Sequence, residues 1–548
     1  MLDWLTKLSQ QTDHPMHSIE EAERLLSGLA EDPLRALEEV TSWLTTITSA
    51  GGFRLATRIA VVKLVDETGQ PFEPELNRLY LTERTLKEFE RLQLWQAILQ
   101  FWERLANAYR LCFDEIQRKP GLLRAQQNEL PLLIVRMLRA LASQATVLRL
   151  RYLPVREQLW QALFDLYRMS EDARCDNQRV TAYAGETLPT TARQELLRAL
   201  MLDIARPESM PPQQTELAAR IAARYADAFL FKPAPETGCN WYVDLAQPRP
   251  PEHATGIAAP QPTARYFGAG VVLVKIQELM RRLAAEPNVK ELRFGAEYTS
   301  PEKLVVLERL TRYWGEQAPL RGEARHSVKA EFIVALGFPA ACLLVPRAEF
   351  GGWAEMIVTM DAGLKEKLGL IPDPAKIPAR EKWLQHEAST WELGMEIPRS
   401  SESRVRIGTL CALNGADRPW WMGVARRLYR DSEDRAYAGV EVLAKKPATV
   451  LLRRVGQGDM RVEDWTRSSD SSGYDYLNVI LLGAGVNAAR HELLLARGAF
   501  VTGIIYEAMM GDQMQHLRLE ELLEQGDDFD RARFAWIAGS EHAGAAKA

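Results

Sequence analysis

Two arginines, Arg321 and Arg325, stand four residues apart, directly before a run of alternating apolar residues that begins at His326. A guanidinium is a planar fork of N–H donors that matches phosphate oxygens and can also stack on an aromatic ring. In an extended segment, two such groups can close on one phosphate from two sides. The same spacing also recurs by chance in a chain this rich in arginine, so two solvated arginines remain the alternative interpretation.

Other groupings of reactive residues do not indicate catalysis. His14 and His17 are three apart but have no acidic or cysteine partner around them, and His386 and Glu387 point to opposite faces of a strand. The sequence has no P-loop, His-Glu-x-x-His, Gly-x-Ser-x-Gly, GGDEF-like or EAL-like run. We therefore expect no enzyme, no catalytic residues, no metal site and no cofactor.

The composition indicates which partners and which cell compartment to expect. Over 548 residues, 68 Lys and Arg against 73 Asp and Glu give a net charge of −5, which argues against nucleic acid or an anionic membrane as the partner. The 5 cysteines are scattered, and no apolar run reaches the length of a membrane span. The first ten residues lack the pattern of a secretory signal. A cytoplasmic protein without direct membrane insertion is expected.

The first part of the chain, 1–230, has the periodicity of successive amphipathic helices. Ser18 and Asp32 are predicted N-caps, the second followed by a proline at the first helical position. This pattern predicts an all-α helical bundle or stack of helical hairpins that acts as a scaffold or docking surface. The segment 231–265 is rich in proline and is predicted to be a linker or strap. A short α/β connector, 266–320, follows, in which Ser300 is predicted to cap a second helix.

From 321 to 457 the pattern changes to short alternating runs separated by turn residues, which predicts a small closed antiparallel β-barrel. A proline-containing stretch, 361–382, interrupts these runs and is interpreted as an insert. A further region with strand periodicity, 470–540, predicts a small C-terminal β region. The expected fold class is therefore multidomain α+β.

Three parts of the region 321–457 together resemble the PilZ domain, the bacterial receptor module for cyclic di-GMP. Arg321 and Arg325 match the Arg-x-x-x-Arg of that family. Its Asp/Asn-x-Ser-x-x-Gly motif is retained in part at Glu387-Ala388-Ser389-Thr390-Trp391-Glu392, where Ser389 is kept and Glu392 replaces the glycine. The runs Trp421–Tyr429 and Ala438–Val442 are similar to the closing strands of the family.

The resemblance implies a ligand with two phosphates and two guanines, bound by four residues. The arginines would neutralise phosphates and stack on purines, while Glu387 and Ser389 would contact the guanine edge. Gly394 can replace the missing glycine only if the strand bulges. Glu392 puts bulk and negative charge where an anionic ligand would lie.

Two hypotheses follow from the resemblance. In the first, the chain is a cyclic di-GMP effector that couples the second messenger to an unidentified protein partner. In the second, the barrel no longer binds a ligand, and the chain is an interaction scaffold for a motility or envelope component.

Overall fold

The computed structural model describes residues 13–83, 85–118, 128–255, 261–285, 294–295, 297–316, 326–346, 379–416, 419–455, 476–483, 491–510 and 513–537. The chain divides into two compact units, Met1–Leu320 and Arg321–Ala548. Each unit has its own core and is described by itself. The structure confirms the expected fold class: a helical region is followed by a small sheet and two six-stranded antiparallel β-barrels.

The first unit begins with a series of α-helices, most of them joined by short connections. They are α1 (Ile19–Leu26), α2 (Pro33–Ser49), α3 (Leu55–Gly69), α4 (Phe72–Thr82), α5 (Glu88–Arg118), α6 (Leu130–Leu150), α7 (Glu157–Asp172), α8 (Ala192–Ile204) and α9 (Pro212–Arg224). The predicted caps are confirmed, because the Ser18 and Asp32 side chains accept from the backbone N–H groups of Glu21 and Arg35.

Packing of the long helices α5 and α6 against their neighbours provides the core of this unit. Phe101 and Leu138 are fully buried, as is Val40 of α2. By length and composition α6 is apolar enough to cross a membrane, but 72% of its most apolar stretch is buried within the unit. That degree of burial is typical of a core helix that is apolar on every side.

A buried polar cluster fixes how the helices meet. The Asp66 carboxylate is fully buried and accepts hydrogen bonds from the hydroxyls of Tyr109 (2.6 Å) and Tyr183 (3.1 Å). Arg136 lies 3.5 Å from the same carboxylate and donates to Glu67 at 2.5 Å. Burial raises the pKa of Asp66, and the charge of Arg136 opposes that shift. The cluster therefore joins α3, α5 and α6 to the loop that carries Tyr183.

The proline-rich segment differs from the linker that its composition predicted. It contains a four-stranded antiparallel sheet of β1 (Leu230–Lys232), β2 (Trp241–Asp244), β3 (Glu252–His253) and β4 (Ala264–Gly268), in the order β1-β4-β2-β3. Strands of two to five residues are too short to show an alternating pattern. The prolines among the described residues of this segment lie in loops, where no ladder hydrogen bond is needed. One face of the sheet packs on the helices through Trp241 and Val243.

Two further helices complete the first unit, α10 (Val272–Ala285) and α11 (Ser300–Trp314). The cap of α11 is Thr299 rather than the predicted Ser300. Thr299 and Glu302 form a reciprocal capping box, which places the serine inside the helix as its first residue.

The second unit begins with a closed barrel of six antiparallel strands. They are β5 (His326–Leu336), β6 (Glu381–Ala388), β7 (Glu392–Glu396), β8 (Leu410–Gly415), β9 (Trp421–Arg430) and β10 (Ala436–Ala444), and the closed order is β10-β7-β6-β5-β8-β9. A short helix, α12 (Phe338–Leu344), follows β5. Of the expected insert 361–382, residues 361–378 lie outside the described residues, and Glu381 and Lys382 already belong to β6.

The C-terminal β region is a second closed barrel of six antiparallel strands. They are β11 (Ala448–Arg454), β12 (Tyr476–Leu481), β13 (Glu492–Ala496), β14 (Ile505–Met510), β15 (Gln513–Gln525) and β16 (Phe529–Ile537), and the order is β11-β12-β13-β16-β15-β14. The strand Ala448–Arg454, which the sequence analysis included in the range 321–457, pairs within this second barrel. Only Lys445-Lys446-Pro447 separates it from β10, so no change of composition marks the transition.

Candidate functional site

Arg321 and Arg325, the two arginines predicted to bind phosphate, lie outside the described residues. The described chain resumes at His326, the first residue of β5. His326 pairs with Ala388 of β6, and Ser327 pairs with Glu387. The beginning of β5 therefore lies beside the segment that carries Glu387 and Ser389.

Ser389 lies in the tight turn between β6 and β7. Its backbone N–H donates to the Glu392 carbonyl at 2.8 Å, and the Glu392 N–H donates to the Ser389 hydroxyl oxygen at 3.2 Å. The side chain therefore stabilises the turn as an acceptor, and its O–H proton can still donate to a ligand. Two of the four predicted site residues, Glu387 and Ser389, are thus brought together by the β6–β7 hairpin.

Gly394 of β7 lies opposite Glu387 of β6. The bulge that brings them together is in β6, not in the strand of Gly394, where it was expected. The register moves from Gln385–Met395 to Glu387–Gly394, which leaves His386 of β6 as the extra residue. A Cβ added at Gly394 would lie 3.0 Å from the Glu387 Cβ. The side chain of Glu387 therefore lies against the bare backbone of Gly394.

A second glycine lies beside Gly394 on the neighbouring strand, and both glycines are buried. Gly394 of β7 pairs with Gly439 of β10, and Gly439 pairs with Arg427 of β9. A Cβ added at Gly439 would lie 2.8 Å from the Arg427 Nε atom, so the arginine side chain lies over that glycine. We call Gly394 and Gly439 the glycine platform; it is flanked by Glu387 on one side and Arg427 on the other. These two side chains cover the glycines, so a flat group reaches the backbone between the carboxylate and the guanidinium only when they move aside.

A bulge in β9 explains why the guanidinium of Arg427 lies on this face. The register moves from Gly439–Arg427 to Val440–Ala425, so Arg426 is the extra residue. In a bulge of this kind two successive side chains lie on the same side of the sheet. Arg427 lies over Gly439, while Arg426 binds Glu441 at 2.7 Å.

Aromatic side chains border the platform towards the β9–β10 turn. Tyr429 and Tyr437 stack with ring centroids 5.0 Å apart, and His386 meets Tyr437 edge-on at 5.7 Å. The Tyr437 hydroxyl donates to Asp431 at 3.1 Å. Partial burial and this acidic partner raise the pKa of Tyr437 to about 12, so the hydroxyl stays protonated as a donor.

Beyond the row of Glu392 and Glu441, which adjoins the platform, a lysine lies between two indoles. The Lys445 ammonium lies 4.8 Å from the Trp391 ring centroid and 5.2 Å from that of Trp421. Trp391 belongs to the β6–β7 turn and is 42% exposed. An exposed indole with a neighbouring cation is suited to stacking on a base beside a phosphate.

Acidic side chains also lie on this face. Glu392 is exposed and pairs across the strands with Glu441, which is itself bound by Arg426. The negative charge of Glu392 opposes an anionic ligand, while the positive charges of Arg427 and Lys445 favour one.

Sequence reasoning identified Glu387 and Ser389 but missed Arg427, Lys445 and the role of Gly439. Gly439 belongs to a run that had already been noted as similar to a known strand. A glycine in the middle of a strand marks close approach of another group, and that signal was available. The position of Arg427 depends on a bulge, which has no signature in the sequence.

Within the described residues, no group of three or more His, Cys, Asp and Glu side chains is arranged to hold a metal ion. The five cysteines are free and buried. Burial raises the pKa of the Cys112 and Cys411 thiols to about 12, which keeps them protonated and poor nucleophiles.

Comparison with known families gives one match. Residues 20–235 match the family described as "Cyclic-di-GMP receptor FimW, N-terminal domain". The matched region contains α1 to α9 and ends just after β1, so it does not include either barrel. No curated protein and no solved structure matches the chain.

Proposed function

We propose that this chain is a receptor for cyclic di-GMP and that the first barrel binds the ligand on its outer face. Two independent lines support the proposal. The helical part matches a domain whose family description names a cyclic di-GMP receptor. The barrel, outside that match, has the residues that resemble a PilZ domain.

The strand register is the observation that carries the assignment of the site. His326, the residue after Arg325 in the sequence, pairs with Ala388, which lies between Glu387 and Ser389. Arg325 immediately precedes this strand end in the sequence, and Arg321 comes four residues earlier. We therefore propose that the two half-motifs, separated by about sixty residues in sequence, meet at one edge of the barrel.

Each group has a role that follows from its chemistry. Arg321 and Arg325 are proposed to hold the phosphates, and Glu387 and Ser389 to accept from and donate to the guanine edge. A guanine would lie on the glycine platform. Arg427 would then add a cation on the far side of the ligand.

Binding is proposed to act on a protein partner in the cytoplasm. A ligand held partly by the segment before β5 and partly by the β6–β7 hairpin would connect the two, and the surface of the barrel would differ between its bound and free states. The partner would distinguish the bound barrel from the free one. The helical part, where the family match lies, is the proposed docking surface.

Calorimetric titration of the full chain with cyclic di-GMP tests the proposal. We expect saturable binding, with the dissociation constant raised at least about tenfold in Arg321→Ala and in Arg325→Ala, since each removes a charged hydrogen bond to phosphate of ~1.5–3 kcal/mol. Arg399→Ala, at an exposed arginine of the same unit, is the matched control and should bind like the wild type. Absence of heat at tens of micromolar ligand, or wild-type affinity in both variants, would rule the receptor out.

The acidic pair of Glu392 and Glu441 favours a second candidate function, a scaffold that binds no nucleotide. In that case the barrel face would dock a protein directly, in a motility or envelope assembly. Affinity capture with the full chain separates the two functions. A scaffold recovers the same partners with and without cyclic di-GMP, whereas a receptor changes its partners or their amounts.

A further inference from the structure

The small sheet of the first unit has an outer face that does not pack on the helices. Four side chains form a row across its strands, Lys232, Tyr266, Tyr242 and Glu252, in the strand order β1-β4-β2-β3. The rings of Tyr242 and Tyr266 stack with centroids 6.1 Å apart. The next row pairs Asp244 with the small Ala264, which leaves open space beside the rings.

That space is a cavity of about 410 Å³, a size that suits a small organic ligand. Its walls combine the two tyrosines with the carboxylates of Asp244 and Glu252, the guanidinium of Arg249 and the amide of Gln261. The Tyr242 hydroxyl donates to Glu252 at 3.0 Å, which holds that carboxylate in place beside the rings. The cavity lies beyond residues 20–235, outside the matched region.

One buried polar atom at this cavity lacks a partner. The Tyr266 side chain is 1% exposed, and its hydroxyl has no hydrogen-bond partner among the described residues. An unpaired buried hydroxyl costs about 1–3 kcal/mol. Because this hydroxyl has almost no accessible surface, a ligand in the cavity does not reach it unless the Tyr266 side chain moves.

We propose that this cavity binds a small molecule with a planar edge of paired N–H donors at one end and an anionic group at the other. The donor edge fits the carboxylates of Asp244 and Glu252, the flat face fits the tyrosine rings, and the anion fits Arg249. Guanosine monophosphate and free arginine both have this chemistry. Adenosine monophosphate has the same phosphate and a similar ring but lacks the paired donors.

Titration of the full chain with guanosine monophosphate, arginine and adenosine monophosphate tests the proposal. We expect the first or the second to bind with a dissociation constant of about 1 mM or tighter, and adenosine monophosphate at least about tenfold more weakly. If guanosine monophosphate binds, the ligand is a guanine nucleotide; if arginine binds, the ligand carries a guanidinium. The titration is repeated with saturating cyclic di-GMP, and unchanged binding separates this cavity from the barrel.

Substitutions test whether the side chains that line the cavity hold the ligand. Asp244→Asn and Arg249→Ala should each weaken binding at least about tenfold, while Asp227→Asn and Arg179→Ala, at exposed positions outside the cavity, should not. Two results overturn the proposal: neither guanosine monophosphate nor arginine gives saturable heat, or Asp244→Asn and Arg249→Ala bind like the wild type.

Discussion

Two opposite charges define the candidate site at the scale of single residues. Glu387 and Arg427 each lie over a glycine, and the two glycines pair with each other. A carboxylate can accept from the donor edge of a guanine while a guanidinium binds a phosphate. The side chains on this face therefore suit a ligand that has both groups.

In the helical unit, the most informative single residue is Glu73 of α4. Burial and the neighbouring carboxylate of Glu216 raise its pKa to about 7, although Arg220 and Trp102 oppose the shift. A carboxyl group with a folded-state pKa above its unfolded value binds its proton more tightly when folded. Its contribution to stability is complete below about pH 4 and is lost as the pH rises to about 7.

Glu73→Gln should therefore stabilise the protein at pH 8, because the amide resembles the protonated acid. We expect a gain of up to about 3 kcal/mol in the free energy of unfolding at pH 8, and little difference at pH 4. Urea unfolding of the full chain, followed by the circular dichroism of the helices, measures both. Glu75→Gln, at an exposed position in the same first turn, is the control. Equal stability of Glu73→Gln and wild type at pH 8 would contradict the pKa assignment.

At the scale of helices and strands, the sequence predicted the helix caps but not the short strands or the bulges. The caps at Ser18 and Asp32 were predictable because an N-cap has a local chemical signature. The small sheet was not, since its strands are short and flanked by prolines. The extra residues His386 and Arg426 shift the register of β6 and β9, and only cross-strand pairing reveals them.

Gly439→Ala tests whether the glycine platform is a ligand surface. The new methyl group would lie 2.8 Å from the Arg427 Nε atom and must displace that side chain from the face. The guanidinium is flexible, so we expect the barrel to fold with a loss of about 1 kcal/mol, while the dissociation constant for cyclic di-GMP rises at least about tenfold. Thermal unfolding and calorimetry measure the two effects.

Gly51→Ala is the control for this substitution, because no atom lies within 4 Å of its added methyl group. If Gly439→Ala bound cyclic di-GMP as tightly as the wild type does, the ligand would have to lie elsewhere on the barrel.

At the scale of the whole second unit, one bulge connects the candidate site to the other barrel. Arg427 lies over Gly439. The adjacent Arg426 makes two hydrogen bonds to Glu524 of β15, one of them from Nη2 to Oε2 at 2.7 Å. Glu524 in turn lies 3.8 Å from Arg531, which binds Glu492. A buried apolar cluster that includes Val424, Leu494 and Phe529 packs beneath these charges. A ligand that moves Arg427 must therefore act on the same bulge that holds the second barrel.

The last prediction concerns this junction. Arg426→Ala leaves Glu441 and Glu524 without their shared cation, so we expect the free energy of unfolding to fall by about 2 kcal/mol. Because Glu524 depends on the same arginine, the double variant Arg426→Ala/Glu524→Gln should lose less than the sum of the two single losses, with a coupling of about 1 kcal/mol or more. Urea unfolding followed by tryptophan fluorescence measures all three variants. Arg404→Ala, which breaks a more exposed pair with Glu381, should cost less than about 1 kcal/mol. If the effects of Arg426 and Glu524 simply add, the ion pairs do not couple the barrels, and the apolar cluster alone holds them together.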